Sequence, residues 1–507
     1  MSRIRRVAGN ALSSYGRGLV TIAVLVYLTP AIINYAGEED FGLWSLTFAI
    51  LGILGLLDMA GMAGVVKWVA ECRGSGDVER RNRILSTVAC VYLGISVVAL
   101  IALTGFAWSY HELFDIPAHL RGKATVLLWI LAIRQVILAV PLLLFKGILF
   151  GEQRIVLVNG IQTGGVVLYG VAGYMVLYRG AGIVGLAWVN LATMLVEHLA
   201  YLVLSFRCVP DLRMSPRLAD RSLLGEVFSF SAAQLVINVS ALIRLRTDLI
   251  LVRFLVSLAL VPVYAIALRL TEVTYYLIKQ FVNVLAPLKV QLAAAGDGDG
   301  LRAILIHVAK IALVPVVMAT SAAFVVGEQA IVFWVGPEFA DAAPLLCILM
   351  SSLVVGVPPL LAFTLLGMTG EHSLTARAAA ASIALNLAAS ALLWWRLGIV
   401  GIALGTLVAT VLIDFCVILR RACRRHGLSL AIQLVRVYVP ALGPGFVQAA
   451  VTYGVVAWWP PTGLITVVLA AVPGAAVYLA VFWLWATEPI ERASVREILA
   501  GRRSRRA

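Results

Sequence analysis

The sequence predicts an all-α polytopic membrane protein: fourteen transmembrane helices, arranged as two pseudo-symmetric six-helix lobes around a central cavity, plus two extra C-terminal helices. Three observations predict it. The 507 residues are 62% hydrophobic and only 13% charged, against about 45–50% and about 25% in soluble domains. Apolar runs recur, each near the roughly 20 residues that cross a bilayer. A short motif of the first half returns in the second.

The runs cover residues 11–35, 41–66, 84–107, 124–145, 155–178, 182–206, 228–254, 258–287, 303–326, 340–366, 374–395, 399–419, 432–457 and 463–486. Little polypeptide remains for a soluble domain. A net charge of +14 would suggest nucleic acid in a soluble protein, but its distribution argues for no nucleic-acid partner. With a cytoplasmic N-terminus, the even-numbered connections and both tails carry 28 Lys and Arg, counting Arg377 and Arg436 at the inner edges of their spans, and seven more lie deeper inside spans. The odd-numbered connections carry five: Arg121, Lys123, Arg179, Arg253 and Arg396. That bias follows the positive-inside rule and places both termini in the cytoplasm. Arg3, Arg5 and Arg6 precede the first run without a small-residue cleavage site, which reads as an uncleaved first helix. The six cysteines show no CxxC or metal-ligand spacing, so no metal or cofactor is expected. Cys72, Cys208 and Cys423 fall on the cytoplasmic side as reduced thiols.

In chain order, the first span carries Arg17 and Pro30. The connector Gly37-Glu38-Glu39-Asp40 leads into Phe41-Gly42-Leu43-Trp44, and Asp58 and Gly61 lie near the inner end of the second span. The charged loop Arg73 to Arg83 reads as a solvated topological anchor. The longest outward loop, Trp108 to Gly122, holds His111, Glu112 and Asp115, read as ordinary exposed polar residues rather than a metal or acid–base site. Span four contains Arg134, and span six Glu197 and His198. Gly160-x-x-x-Gly164 and Gly401-x-x-x-Gly405 read as sites of close helix packing.

Gly182-Ile183-Val184-Gly185-Leu186-Ala187 returns as Gly398-Ile399-Val400-Gly401-Ile402-Ala403, preceded in each case by an arginine, Arg179 or Arg396, and further upstream by Gly151-Glu152 or Gly370-Glu371. Spans four to six thus correspond to spans ten to twelve. A six-span repeat enters the membrane twice from the same side, so its halves relate by an axis along the membrane normal with a cavity between them. The expected domains are a first lobe over 1–221, a second over 222–425, appended helices over 426–486 and a basic tail over 487–507. That tail ends in Arg502-Arg503-Ser504-Arg505-Arg506, which suits anionic membrane lipid or plain topological anchoring.

The charged residues at membrane depth carry the functional reading, since a charge there costs about 2.5–3.5 kcal/mol on insertion scales and usually faces protein or a wet cavity. Arg244 and Asp248 share a face of span seven, with Arg246 and Arg253 nearly opposite. On span eight, Arg269, Glu272, Tyr276, Lys279 and Asn283 form one stripe at steps of three and four. Arg17, Arg134, Arg244, Arg246, Arg269, Lys279 and Lys310 stand against Asp58, Glu197, Asp248, Glu272 and Asp414, leaving +2 inside. Such a cavity suits an anion, and guanidinium suits phosphate in particular. Glu197 and Asp414, at nearly the repeat offset, read as partners of nearby basic residues rather than proton carriers. No P-loop, hydrolase elbow or HExxH occurs, so no enzyme is expected.

The chain from about 10 to 415 resembles bacterial polysaccharide flippases of the Wzx type, in the superfamily that also holds multidrug and toxin extruders and the lipid II flippase. The resemblance rests on Asn10, Pro30, Gly37 to Trp44 and Asp58. It continues with Asp248-Leu249-Ile250-Leu251, Val263-Tyr264-Ala265-Ile266-Ala267-Leu268-Arg269, Pro287, Phe333-Trp334-Val335-Gly336-Pro337-Glu338-Phe339, Asn386 and Gly398 to Gly401. Where the family usually has Asp-Leu-Gly-Leu, this chain reads Asp58-Met59-Ala60-Gly61-Met62. The resemblance implies two lobes in a V in the bacterial inner membrane, and a substrate of oligosaccharide on undecaprenyl diphosphate. Motif carries over Asp248 and Arg269 only.

The expected substrate-binding residues are Arg134, Arg244, Asp248, Arg269, Glu272 and Lys279, with Arg17, Asp58, Arg246 and Lys310 as secondary candidates. Expected partners are the anionic lipid-linked oligosaccharide, membrane lipids, H+ or Na+ as coupling ion, and a polysaccharide polymerase. The alternative is a cation-coupled exporter of soluble amphiphiles on the same fold. A membrane glycosyltransferase or polymerase would want a large outward loop rich in Asp, His or Arg, which the chain lacks, and the buried charge argues against a structural scaffold.

Overall fold

The computed structural model describes residues 3–227, 248–284, 298–368, 371–488 and 492. Among these the chain is helical, with no strand. Eleven helices are long and apolar enough to cross a membrane, or twelve if the bent pair Ala118–Val136 and Pro141–Gly151 is one span. The all-helical multi-span reading therefore stands, while the count of fourteen is not reached among the described residues. At the expected second span lies a 38-residue helix; residues 228–247 of the expected seventh, Pro287, Gly370 and the basic cluster of the tail lie outside the described residues.

The chain divides into two compact units, Met1–Ala265 and Ile266–Ala507. The first contains α1 (Arg3–Ala36), α2 (Glu38–Ser75), α3 (Val78–Leu113), α4 (Arg121–Ala132), α5 (Val140–Gly151), α6 (Ile155–Tyr178) and α7 (Gly182–Cys208). Local chemistry sets several ends. Glu38, Glu39 and Asp40 occupy the first turn of α2, where negative charge meets the positive end of the helix dipole. Gly76, at φ +73°, closes α2, and Asp77 caps α3 by accepting from the Arg80 backbone N–H at 2.8 Å.

α2 packs on α5, α1 on α6, and α6 on α7. The α2–α5 approach depends on two glycines four apart: a Cβ on Gly147 would lie 2.8 Å from Val65, and one on Gly151 2.6 Å from Val69. The expected pair, Gly160 and Gly164, has open space instead; periodicity alone did not say which glycines meet a neighbour.

The charged segments are tied down at both ends of this unit. Asp40 pairs with Lys123 at 3.0 Å and Glu39 with His119 at 2.8 Å, so the acidic connector grips the start of the fourth span. Arg253 is buried and donates to the carbonyls of Phe114 and Asp115. At the opposite end, Arg73 pairs with Glu152 at 3.5 Å, Arg83 with Asp220 at 3.4 Å and Arg80 with Glu226 at 3.6 Å. Trp68 Nε1 also donates to Glu226, at 2.9 Å. The Arg73 to Arg83 segment, expected to be only a solvated anchor, thus also holds the segment that follows α7.

The boundary between units falls within α8 (Val261–Val284). The second unit continues with α9 (Ala309–Val335), α10 (Ala342–Met368), α11 (His372–Leu397), α12 (Ile399–Ala409, extended by a π-helical stretch Thr410–Leu419), α13 (Val439–Trp458) and α14 (Leu464–Val481). Its core joins Leu313, Leu361, Leu365, Leu419 and Tyr478. The last two helices belong to that core. Gln448 on α13 donates to the Met318 carbonyl at 2.9 Å, and the buried Lys310 donates to the Ala486 carbonyl at 2.9 Å.

The repeat has a backbone counterpart. Gly182 and Gly398, the first residues of the two copies, stand at φ +60° and +56°, a region glycine enters without a Cβ penalty. Each follows a helix that packs against the next, α6 on α7 and α11 on α12. The second hairpin is closer: a Cβ on Gly401 would meet the Leu393 backbone at 2.4 Å, and one on Gly405 the Ser390 Oγ at 2.1 Å, so the expected Gly401/Gly405 contact forms.

Candidate anion-binding site

Polar groups at membrane depth gather in a cavity of 380 Å³ inside the first unit. Four helical elements build it, α2 contributing the apolar Met62. The span formed by α4 and α5 is interrupted by a π-helical stretch, Ile133–Ala139, and such insertions rotate side chains off the α-helical face, often at functional sites. Arg134 lies on this stretch and donates from Nη1 to Gln135 Oε1 at 3.1 Å. Lys146 enters from α5, Gln162 and Tyr169 from α6, and Asn190, Thr193, Glu197 and His198 from α7.

The two cations and one carboxylate meet here. The charges of Lys146, Arg134 and Arg17 all reach Glu197, which is itself withdrawn from solvent. Glu197 reaches its position because α6 has no side chain at Gly165: a Cβ there would fall 1.8 Å from Glu197 Oε1. His198 is buried, with Nδ1 at 2.9 Å from the Met194 carbonyl, so that nitrogen carries the proton. Asn159 holds α6 to α1 by donating to Ser13 and Ser14 at 2.9 Å. The cavity therefore offers guanidinium and ammonium donors, neutral amides and hydroxyls, and one carboxyl group. This set can bind an oxyanion by charge-assisted hydrogen bonds.

Of the residues expected from sequence, Arg134 lines the cavity and Arg17 acts on it. Asp248 sits elsewhere in the same unit, 2% exposed, accepting a 2.7 Å hydrogen bond from the Tyr264 hydroxyl. Arg269, Glu272 and Tyr276 lie half-buried along α8 and Lys279 is exposed. Lys310 is committed to the Ala486 carbonyl. Arg244 and Arg246, together with the side chains of Asp58 and Asn283, lie outside the described residues. Among the described residues no group of three or more His, Cys, Asp or Glu could hold a metal.

Lys146 was missed. The expected fourth span ends at 145, which assigned this lysine to a connection. The signal was present: α5 continues Gly147-Ile148-Leu149-Phe150 beyond it, an apolar stretch that places Lys146 within the helix.

A family model described as "Polysaccharide biosynthesis protein" matches residues 37–344, more than half of the chain. A curated relative, the uncharacterized membrane protein EpsK of Bacillus subtilis (strain 168), is 25% identical over 347 residues, 67% of each chain. Among solved structures, the lipid II flippase MurJ in an inward closed conformation superposes with a TM-score of 0.74 at 12% identity, covering 97% of this chain and 99% of that one. An inward-facing multidrug resistance MATE family transporter of the MOP superfamily superposes with a TM-score of 0.65 at 15% identity, covering 81% and 98%. The resemblance read from the motifs is borne out by these matches, and the chain has the MurJ/MATE-like fold of a multi-pass membrane protein.

Proposed function

We propose that this chain, which belongs to the polysaccharide biosynthesis protein family, moves a lipid-linked, diphosphate-bearing saccharide from the cytoplasmic to the outer leaflet by alternating access. One observation carries the reading beyond family membership: Arg134 and Lys146, with Arg17 acting from α1, converge on a polar cavity at membrane depth. Cations are placed there at a cost, and anion recognition accounts for it. At 380 Å³ the cavity is at the small end of ligand pockets, so it takes a charged headgroup rather than the whole substrate.

In this reading Arg134, Arg244, Arg269 and Lys279, joined by Lys146, hold the diphosphate and acidic sugar groups. Asp248 and Glu272 position the cations, and the lipid stays in the bilayer. The carrier lipid is undecaprenyl diphosphate, the product feeds a surface polysaccharide polymerase, and both termini are cytoplasmic in a bacterial inner membrane. The second reading, a cation-coupled exporter of soluble amphiphiles, draws on Glu197 and His198 as titratable groups in the cavity, but Arg134 and Lys146 repel a cationic cargo.

The test is a flipping assay in proteoliposomes with a fluorescent diphosphate-linked saccharide lipid. A charge-assisted hydrogen bond contributes about 1.5–3 kcal/mol, so Arg134→Ala and Lys146→Ala should each slow transport about tenfold or more. Arg269→Ala should slow it likewise, with partial recovery in Arg269→Lys. Undiminished transport in an Arg134→Ala/Lys146→Ala double variant and in both Arg269 variants overturns the assignment.

A further inference from the structure

A second cavity, also 380 Å³, runs between α1 and α6 and differs from the first in almost every respect. Its walls are Val20, Ala23, Val24, Val167, Val171 and Met175, with Gly170 as its floor. Gly170 is buried against Val24, which a Cβ there would approach to 2.9 Å. Val167, Val171 and Met175 are exposed, so the groove opens sideways, into hydrocarbon once the chain is in a bilayer.

One end of the groove is aromatic. Tyr27 and Tyr174 lie with ring centroids 5.2 Å apart, Tyr35 meets Tyr174 edge-on at 5.8 Å, and Tyr35 meets Tyr178 edge-on at 5.8 Å. The Tyr35 and Tyr174 hydroxyls are 3.2 Å apart. Tyr178 is 68% exposed. Four tyrosines thus climb from the apolar floor to the helix ends, the habit of aromatic side chains at a membrane–water boundary. At the top stands Arg179, exposed and in no ion pair among the described residues. It is also one of the few basic residues that the sequence places on the outer side.

We infer that the α1–α6 groove, with its tyrosine ladder and Arg179, is a seat for one phospholipid of the outer leaflet: an acyl chain in the groove and an anionic phosphate headgroup at Arg179. Charge and length both select this occupant. The lining is uncharged except at the boundary end, where a cation faces a region in which lipid phosphates lie. From Val167 to Tyr178 the seat is about 16 Å long at 1.5 Å per residue, close to half of the roughly 30 Å hydrocarbon core. That length fits an acyl chain confined to one leaflet and is too short for a long polyprenyl tail. The inference requires the membrane topology but not the flippase reading.

The test is photocrosslinking of the full-length protein in phosphatidylcholine vesicles that contain a diazirine-bearing phosphatidylglycerol, with labelled peptides identified by mass spectrometry. Label should concentrate on peptides containing residues 20–27 and 167–175. Ala23→Trp and Val171→Trp, both exposed positions where an indole fills the groove, should abolish that label while leaving label on other lipid-facing helices unchanged. Arg179→Gln should lower the preference for phosphatidylglycerol over phosphatidylcholine by about fivefold. Label spread evenly over lipid-facing helices, or unaltered in both tryptophan variants, overturns the proposal. So does displacement of the groove label by an equimolar polyprenyl-diphosphate saccharide, which would make the occupant the transported lipid.

Discussion

Glu197 shows how much a single residue's position depends on an absence elsewhere. Its carboxyl group occupies the volume where a side chain on Gly165 would begin, and there it lies within the field of Lys146, Arg134 and Arg17. In a helix interior Ala is favoured over Gly by about 1 kcal/mol, so Gly165→Ala should cost the fold nothing by propensity. The added Cβ strikes Glu197 Oε1, Cδ and Cγ, at 1.8, 2.5 and 2.7 Å, so the whole carboxyl arm must rotate away, a movement open to a flexible, half-buried side chain. Gly165→Ala is therefore expected to leave the melting temperature nearly unchanged while altering flipping as Glu197→Ala does. Adding Gly165→Ala to Glu197→Ala should bring no further change. A large loss of thermal stability in Gly165→Ala, or additive effects on transport, would show the two residues acting separately. None of this geometry was legible in the sequence. Gly165 adjoins the more conspicuous Gly160/Gly164 pair, and nothing in the spacing tells which glycine faces a carboxylate.

Between helices, corresponding places of the repeat are held by different partners. Glu152 pairs with Arg73 at the end of α2, whereas Glu371 is gripped by Arg421, in two hydrogen bonds of 2.9 and 3.2 Å, and by Arg425. The sequence disclosed the repeated Gly-Glu and the Gly182/Gly398 pair because glycine at positive φ and a charge at a turn leave marks in composition. Their partners were not disclosed, because a cross-helix pair has no fixed spacing. The Arg421 hydrogen bond, more than any other cause, holds the Glu371 carboxyl below the ordinary carboxylate range. A lowered folded-state pKa adds stability above the unfolded value, about 4.3 for Glu, and that stability is lost as pH falls through the folded value. Wild type should therefore melt above Glu371→Gln at neutral pH, and the gap should close below about pH 4.3. Melting curves across that range in detergent check this. A gap that widens on acidification would reverse the sign and remove the ion cluster as its cause.

At the scale of the whole chain, the all-helical, multi-span character was the most legible property: apolar runs of membrane length recur along the sequence, and eleven helices among the described residues are long and apolar enough to cross a membrane. The Lys and Arg between the runs predict a topology with both termini cytoplasmic. The cavity was less legible, since Arg134 appeared as a membrane-depth charge while Lys146, one residue past an estimated span end, did not. The face a charge presents depends on local helix geometry, here the π-helical stretch Ile133–Ala139. That topology makes a physical prediction about transport. If both termini are cytoplasmic and a diphosphate moves outward, two negative charges travel down an inside-negative potential, a gain of about 2.3 kcal/mol per charge per 100 mV. Proteoliposomes carrying a valinomycin-imposed potassium potential should flip the diphosphate lipid faster toward the positive side and slower when the potential is reversed. The dependence should disappear for a neutral headgroup analogue. Rates indifferent to the sign of the potential would mean that the charge is compensated during transport, which requires H+ or Na+ to accompany the lipid and places the titratable pair Glu197 and His198, rather than the arginines alone, in the transport step.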